Sequence, residues 1–404
     1  MSIIERAPVS DQLPDEWQRD YEFVLPEYTL NDPEQSRGHV VSLQEQPAVD
    51  EHGRELPEGV RVFEVGVQDA YVNADPATYQ AVNHYISRIE QMSCAKGLDY
   101  MQRTEAVSEE ERNQFTQAWL SDPKVSSLSV WRNLVPTAEA LHYLTNPNVG
   151  EPIHDRQGNT DVISMETAAQ LRFVEDAVAI RDRGIAMAHL LTDYFMASGT
   201  KQEDVLSLAS GTAEPVLAAA KEASEATGKN VTLTVADYDR ESLAFVRANA
   251  ERFGLGDVVT GVTANILSDT LSDRLEKKTG LKQWDVVENM GFEEYLPQEG
   301  DEMGAFKGAG LPQASEFTRN AFELVKPGGV MISGNMVLDR PQRDFVFGIV
   351  DWPLINARSE QSILRVYKEA GLLDDPNVQI DMFRVVNAQT GTHVYNIVRA
   401  TKLQ

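Results

Sequence analysis

The sequence predicts an α/β fold, a doubly wound, mostly parallel seven-stranded sheet preceded by a mainly helical N-terminal region. Three observations carry this reading. From about residue 200 onward β-rich runs alternate with helical stretches, a small-residue loop follows the first of those runs, and the chain ends in two β-rich runs with no helix between them. Strands separated by helices pair in parallel only through crossovers, and the crossover helices then cover both faces of the sheet.

The strand candidates are 204–209, 231–236, 258–263, 284–288 and 328–334. They are short and enriched in β-branched residues, as VTLTVA at 231–236 illustrates. The helix candidates are 213–227, 240–253, 315–325 and 359–371. Val378–Val385 (VQIDMFRV) and His393–Arg399 (HVYNIVR) flank VNAQTGT, which predicts an antiparallel hairpin closing an otherwise parallel sheet.

Upstream the texture differs. Residues 1–60 are rich in Pro, Asp, Glu and Gln and read as largely irregular. Val60–Val67 reads as a short strand, and from Pro76 the residues Tyr79, Val82, Tyr85, Ile86 and Ile89 recur at helical spacing. Ser108 and Glu111 suit a capping box opening a helix through Trp119, Thr137–Leu144 reads as another helix, and 147–161 as an exposed loop. Met165–Ala197 is an amphipathic helical region with a break expected at Gly184. The expected organisation is an accessory or cap region over 1–162 and a ligand-binding α/β region over 163–404.

Composition narrows the function. A net charge of −27 over 404 residues opposes binding to phosphate backbones and to anionic membrane surfaces. No run of about 18 apolar residues occurs, so no membrane span is expected. The one cysteine, Cys94, excludes an intrachain disulfide, and the acidic start lacks a secretory signal pattern, so the expected location is cytoplasmic. Seven histidines show no HxxxH spacing and no GxSxG elbow occurs, so neither a metal site nor hydrolase chemistry is expected. The expected partner is a small-molecule substrate. The oligomeric state is not legible in the residues.

The chemistry-bearing segments come in a fixed order: LSLASGTAEP (206–215), LTVADYDRESL (233–243), TANIL (263–267), DVVENMGFEEYLP (285–297) and LVKPGGVMIS (324–333). Over residues 165–404 this series resembles the class I S-adenosylmethionine-dependent methyltransferases, which have a Rossmann-like sheet. The resemblance implies S-adenosyl-L-methionine as cofactor. It implies that Ala209, Ser210, Gly211, Thr212, Ala213 and Glu214 form the first cofactor loop. There the backbone must approach the ligand closely, which favours small residues. Asp237, followed by Tyr238, is implied to accept hydrogen bonds from both ribose hydroxyls, since a carboxylate offers two acceptors and no donor. Asn265 and Ile266 are placed at the adenine, and Asn289 and Met290 beside the reactive methyl.

This chain departs from the family pattern in that loop. Ser207 stands where an acidic residue is usual, and Ala209 and Ala213 replace glycines, which is tolerable if their φ stays negative. Glu214 offers a displaced carboxylate for the amino group of the cofactor. Glu288, Glu294 and Tyr295 are the base candidates, against a plainer role for the acids in balancing a helix dipole. Asn335 and Arg340 are placed to face substrate. The implied reaction is in-line methyl transfer to a small or medium-sized molecule. Three alternatives stay open: transfer or cyclisation of the aminocarboxypropyl group, a non-catalytic scaffold, and a NAD-dependent oxidoreductase, which the missing GxGxxG disfavours.

Overall fold

The computed structural model describes Phe23 and residues 38–98, 109–209, 211–302, 310–352 and 355–403. The strands in chain order are β1 (His39–Gln46), β2 (Val60–Gln68), β3 (Pro152–His154), β4 (Thr160–Val162), β5 (Gln202–Leu208) and β6 (Asn230–Asp237). They continue with β7 (Val259–Thr263), β8 (Trp284–Glu288), β9 (Val325–Met336), β10 (Val378–Asn387) and β11 (His393–Lys402). Nine of them form one sheet in the order β1-β2-β10-β11-β9-β8-β5-β6-β7. The pairs β5–β6, β6–β7, β5–β8 and β8–β9 are parallel, and β11 runs antiparallel between β9 and β10. The expected seven strands and their closing hairpin are all present.

Two N-terminal strands extend this sheet beyond the expected seven. β2 lies parallel to β10, and β1 pairs antiparallel with β2 at the sheet's edge. The apolar run of β2 serves both faces. Val62 belongs to one core, Val65 and Val67 to the other, and all three are fully buried. β1 (HVVSLQEQ) is an edge strand with no fully buried residue, and its Val41 and Leu43 are exposed, so its pattern does not stand out from the irregular segment around it. The remainder of the first 37 residues, Phe23 excepted, lies outside the described residues, as does Ser108 of the expected capping box.

The crossover helices fall where the spacing predicts: Glu214–Thr227, Arg240–Phe253, Ala314–Glu323 and Glu360–Glu369. Two further expectations need correction. The segment 147–161 is not simply a loop, because it contributes β3 and enters β4 of a small antiparallel hairpin. The turn between those strands is held by Asp155, whose carboxylate accepts from the backbone N–H of Gln157 and of Asn159. Gly184 does not interrupt the helical region. The break falls at Val174, between helices Met165–Phe173 and Glu175–Ala197. There the carboxamide of Gln342 accepts the N–H of Glu175 at 3.1 Å, satisfying one donor of the new helix's first turn. A Cβ at Gly184 would meet Pro215 at 3.4 Å, an ordinary contact, so the glycine sits within the helix without being required by space.

Helix Glu175–Ala197 packs against helix Glu214–Thr227 on one face of the sheet, and the N-terminal helices cover its other side. It is therefore buried nearly all round along its first half, charges included. Those charges are paired by neighbours: Tyr79 donates to Glu175, Arg340 to Asp176, Arg181 to Asp69 and Asn387 to Asp182. Burial of a charge without a partner would be prohibitive. The second core, on the opposite face, is built from Trp284, Phe317, Phe322 and Tyr367 with the outward residues of the central strands.

Candidate active site

A cavity of about 940 Å³ opens at the carboxyl ends of β5, β6, β7 and β8, where open α/β sheets bind ligands. Its wall brings together Ala209, Gly211, Thr212, Ala213 and Glu214 with Asp237, Tyr238, Asn265, Ile266, Glu288, Met290, Glu294 and Tyr295. Of the expected cofactor residues that are described, Asn289 is absent from the wall and fully buried, and Ser210 lies outside the described residues. The N-terminal region supplies the facing wall through Val135, Pro136, Thr137 and Leu141.

The loop after β5 takes a left-handed path through Ala209 (φ 51°), Gly211 (φ 55°) and Ala213 (φ 52°). The expectation of negative φ at the two alanines is thus incorrect. They hold glycine conformations at a cost of about 1–2 kcal/mol each, strain of a kind stored at ligand sites. At Gly211 a Cβ would also lie 2.9 Å from Leu141 Cδ1, so a larger residue there requires the leucine side chain to shift as well as a left-handed backbone. Asn249 anchors the loop by donating to the carbonyl of Thr212 at 3.0 Å. Glu214 forms an ion pair with Arg252, so its carboxylate is already engaged.

At the end of β6 Asp237 accepts the N–H of Asp239 through Oδ1, and burial raises its carboxyl above the ordinary aspartate value. Asp239, as the spacing suggests, caps helix Arg240–Phe253 through the N–H of Glu241. Arg156, carried on the β3–β4 turn, reaches across the cavity rim to Asp239 at 2.7 Å, Glu241 at 2.9 Å and Glu139 at 3.2 Å. Beneath it Asp155 is buried, which raises its carboxyl. Hydrogen bonds from Asn159 and Asn133 outweigh that and hold it below the ordinary value. Asn265 uses Oδ1 to accept the N–H of Leu267 at 3.1 Å, a local turn that leaves its amide nitrogen free for other work.

Ser207 is fully buried and donates its hydroxyl to Glu288, its register partner on β8. Glu288 also accepts the N–H of Met290 at 2.6 Å. Burial raises the carboxyl of Glu288 above the ordinary value, opposed by those two hydrogen bonds and by Arg183.

The other end of the cavity is lined by Met290, Phe292, Leu296, Leu311, Met336 and Trp352, with Glu294, Tyr295 and Arg183 as its polar groups. Glu294 accepts the N–H of Met336 at 3.0 Å and the hydroxyl of Tyr395 at 3.2 Å, and burial raises its carboxyl. Tyr295 accepts the indole N–H of Trp352 at 2.8 Å. Burial and the nearby Glu294 push its hydroxyl well up, so it stays protonated near neutral pH. Glu293, next in sequence, points to the opposite face, where Thr318 and Ser333 bind it.

Two expected substrate contacts are corrected. Arg340 is buried against Asp176 and over the ring of Phe347, away from the cavity wall. Asn335 is buried and likewise absent from the wall. The residue that sequence reading missed is Arg183. Its signal was present: EDAVAIRDRG places charges on every side of a helix whose apolar spacing already demanded burial. Among the described residues no group of three His, Cys, Asp or Glu could hold a metal, and no helix is long and apolar enough to cross a membrane.

No family model and no curated protein matches the chain. Among solved structures it is similar to a possible exported protein from Bordetella parapertussis, at 15% identity and a TM-score of 0.50, over 81% of this chain and 97% of that one. It is also similar to an O-methyltransferase from Bacillus cereus in complex with SAH, at 16% identity, a TM-score of 0.35, and 55% and 80% coverage. A third is the O-methyltransferase TomG from Streptomyces achromogenes in complex with SAM, at 15% identity, a TM-score of 0.36, and 55% and 81% coverage. At such identities the likeness is one of fold, a Rossmann-like α/β sheet.

Proposed function

We propose that the protein is an S-adenosylmethionine-dependent methyltransferase acting on a small or medium-sized molecule. One observation carries this reading: the strained β5 loop, the β6-terminal Asp237 and the β7-terminal Asn265 meet on one wall of a cavity that continues into an apolar chamber. The residues fit the cofactor. Asp237 would hold the ribose hydroxyls and Asn265 the adenine edge. Glu288 would hold the ammonium of the amino-acid tail, because Ser207 turns that neighbouring-strand carboxylate into the position where the family carries its own acid. Bound there, S-adenosylmethionine supplies a methyl group on a positively charged sulfur.

The chain's own contribution is positioning and proton removal. Glu294 is the best-placed base. Its Oε2 is fixed by Met336 N–H and Tyr395, which leaves Oε1 to take the proton of an acceptor hydroxyl. Its raised carboxyl brings it closer to the neutral range where a general base works best. Tyr295 and Trp352 hold each other in place at the chamber wall, and the N-terminal residues 133–141 help exclude water.

Calorimetry with S-adenosylhomocysteine tests the cofactor assignment. Binding that falls at least tenfold in Asp237→Asn and in Glu288→Gln is expected, and no measurable binding to the unaltered protein sinks the proposal. Product analysis tests the reaction: S-adenosylhomocysteine signifies methyl transfer, whereas methylthioadenosine would replace it with aminocarboxypropyl chemistry.

A further inference from the structure

We propose that the acceptor is an organic acid, an apolar planar body bearing one anionic oxygen group, and that Arg183 is the residue that selects it. This rests on the methyltransferase reading for the word acceptor, though the anion site stands on its own geometry.

Arg183, on helix Glu175–Ala197, sets its guanidinium against the turn that follows β8, at Gly291. A Cβ added at Gly291 would stand 2.6 Å from its Nη1 and 3.2 Å from its Nη2, so glycine is what lets the guanidinium reach this point. The side chain is 11% exposed, and that exposure faces the cavity it lines. Nη1 donates to the hydroxyl of Tyr395, whose ring also lies 4.6 Å beneath the guanidinium carbon. Among the described residues the fork makes no other hydrogen bond. The nearest carboxylate is Glu294 at 3.9 Å, a charge contact beyond hydrogen-bond range.

The other arginines around the cavity differ. Arg181 is saturated by Asp69 and by the carbonyls of Leu144 and Arg172. Arg156 is spread over three carboxylates at the rim. Arg183 is a planar fork with donors to spare on the wall of the cavity, and such a fork matches a two-oxygen anion side by side. Glu288 acts on it only through space, with no hydrogen bond or ion pair between the two among the described residues, and its oxygens accept from Ser207 and the Met290 N–H. The remaining wall is apolar or aromatic, with Met290, Phe292, Met336 and Trp352 suited to a flat body. With the protein at net charge −27, an anion is not drawn in by the overall field, so its recognition has to be local.

The test compares acids with their neutral isosteres. Protein saturated with S-adenosylhomocysteine is titrated calorimetrically with benzoate, cinnamate and 2-naphthoate, and with the three corresponding primary amides. At least one acid is expected to bind tenfold or more tighter than its amide. Arg183→Met is expected to abolish that preference while leaving amide binding within threefold, and Arg183→Lys to keep a weaker preference. Equal affinity of acid and amide in all three pairs, or a preference that survives in Arg183→Met, overturns the proposal. Should Arg183→Met fail to fold by thermal melting, the lysine variant decides: an undiminished preference there overturns the fork's role. Repeating the titrations without S-adenosylhomocysteine separates the two readings. An acid preference without cofactor binding removes the methyltransferase and keeps the anion site, and cofactor binding without an acid preference does the reverse.

Discussion

Ser207 on β5 and Glu288 on β8 are register partners in the parallel sheet, and the serine hydroxyl donates to the glutamate carboxylate in the buried floor of the cavity. Under the proposed reading, the acid that the resembled methyltransferases carry at position 207 is supplied from one strand sideways, by Glu288. Restoring it should therefore do harm. Ser207→Asp sets a second buried carboxylate against Glu288 with no new cation, and is expected to cost roughly 2–4 kcal/mol in denaturant unfolding. Ser207→Ala should leave S-adenosylhomocysteine affinity within about fivefold, since one neutral donor contributes only about 1 kcal/mol. A stabilised Ser207→Asp protein would contradict this account.

Ala209 offers a test of the strained loop. At φ 51° its methyl group occupies a conformation that glycine adopts freely. Ala209→Gly removes about 1 kcal/mol of strain, partly offset by the greater entropy of the unfolded chain. The expected result is unchanged or higher stability. Ala219→Gly, a fully buried position within helix Glu214–Thr227, should by contrast lose about 1 kcal/mol. Equal losses at both positions in urea melts would show that the loop stores no strain.

The order of strands and helices was legible because each element's burial is regular. β6 alternates against two packed faces, and helix Arg240–Phe253 keeps Val246 and Ala250 inward. The gathering of Gly211, Asp237 and Asn265 on one cavity wall was legible for a related reason: these residues lie at or just after strand ends, where position along the chain determines position in space. β1 escaped because its apolar residues, Val40, Val41 and Leu43, follow no strict alternation and two of them are exposed at the sheet edge. Arg183 and the Glu288–Ser207 pairing escaped for another reason. Both depend on which strand or helix lies beside which, and the residues that meet are separated by 212 and 81 positions along the chain. Gly184 misled because an isolated glycine within a helical pattern is tolerated as well as helix-breaking.

Glu294 gives a pH dependence with a defined sign. Burial raises its folded-state carboxyl above the ordinary glutamate value of about 4.3. The native state therefore holds this proton more tightly than the unfolded chain does. The associated stability is present in full below the ordinary value and is lost as pH rises through the raised one. Catalysis runs the other way, because a base must be ionised. The acid limb of kcat/KM should sit above the ordinary glutamate range, with methyl transfer rising as Glu294 ionises. Glu294→Gln should flatten that limb, lower the rate by about 10²–10⁴ and remove this part of the pH dependence of stability. An unshifted acid limb in the variant, read from product formation against pH, would transfer the role of base elsewhere.

Gly291 ties the two halves of the site together, and its substitution separates steric from conformational cost. Its φ of +80° lies in the left-handed region, which costs alanine about 1–2 kcal/mol regardless of surroundings. A Cβ there would also stand 2.6 Å from Arg183 Nη1 and 3.1 Å from the Tyr395 hydroxyl, so the arginine must move. Gly291→Ala is expected to destabilise by roughly 2–4 kcal/mol in all. In an Arg183→Met background the guanidinium atoms nearest the new methyl group are gone, and only the left-handed cost and a smaller contact with Tyr395 remain. The double-mutant cycle should therefore show a coupling of about 1 kcal/mol or more, with the second substitution costing less than the first predicts. Strict additivity in denaturant unfolding would mean that Arg183 does not rest against this turn.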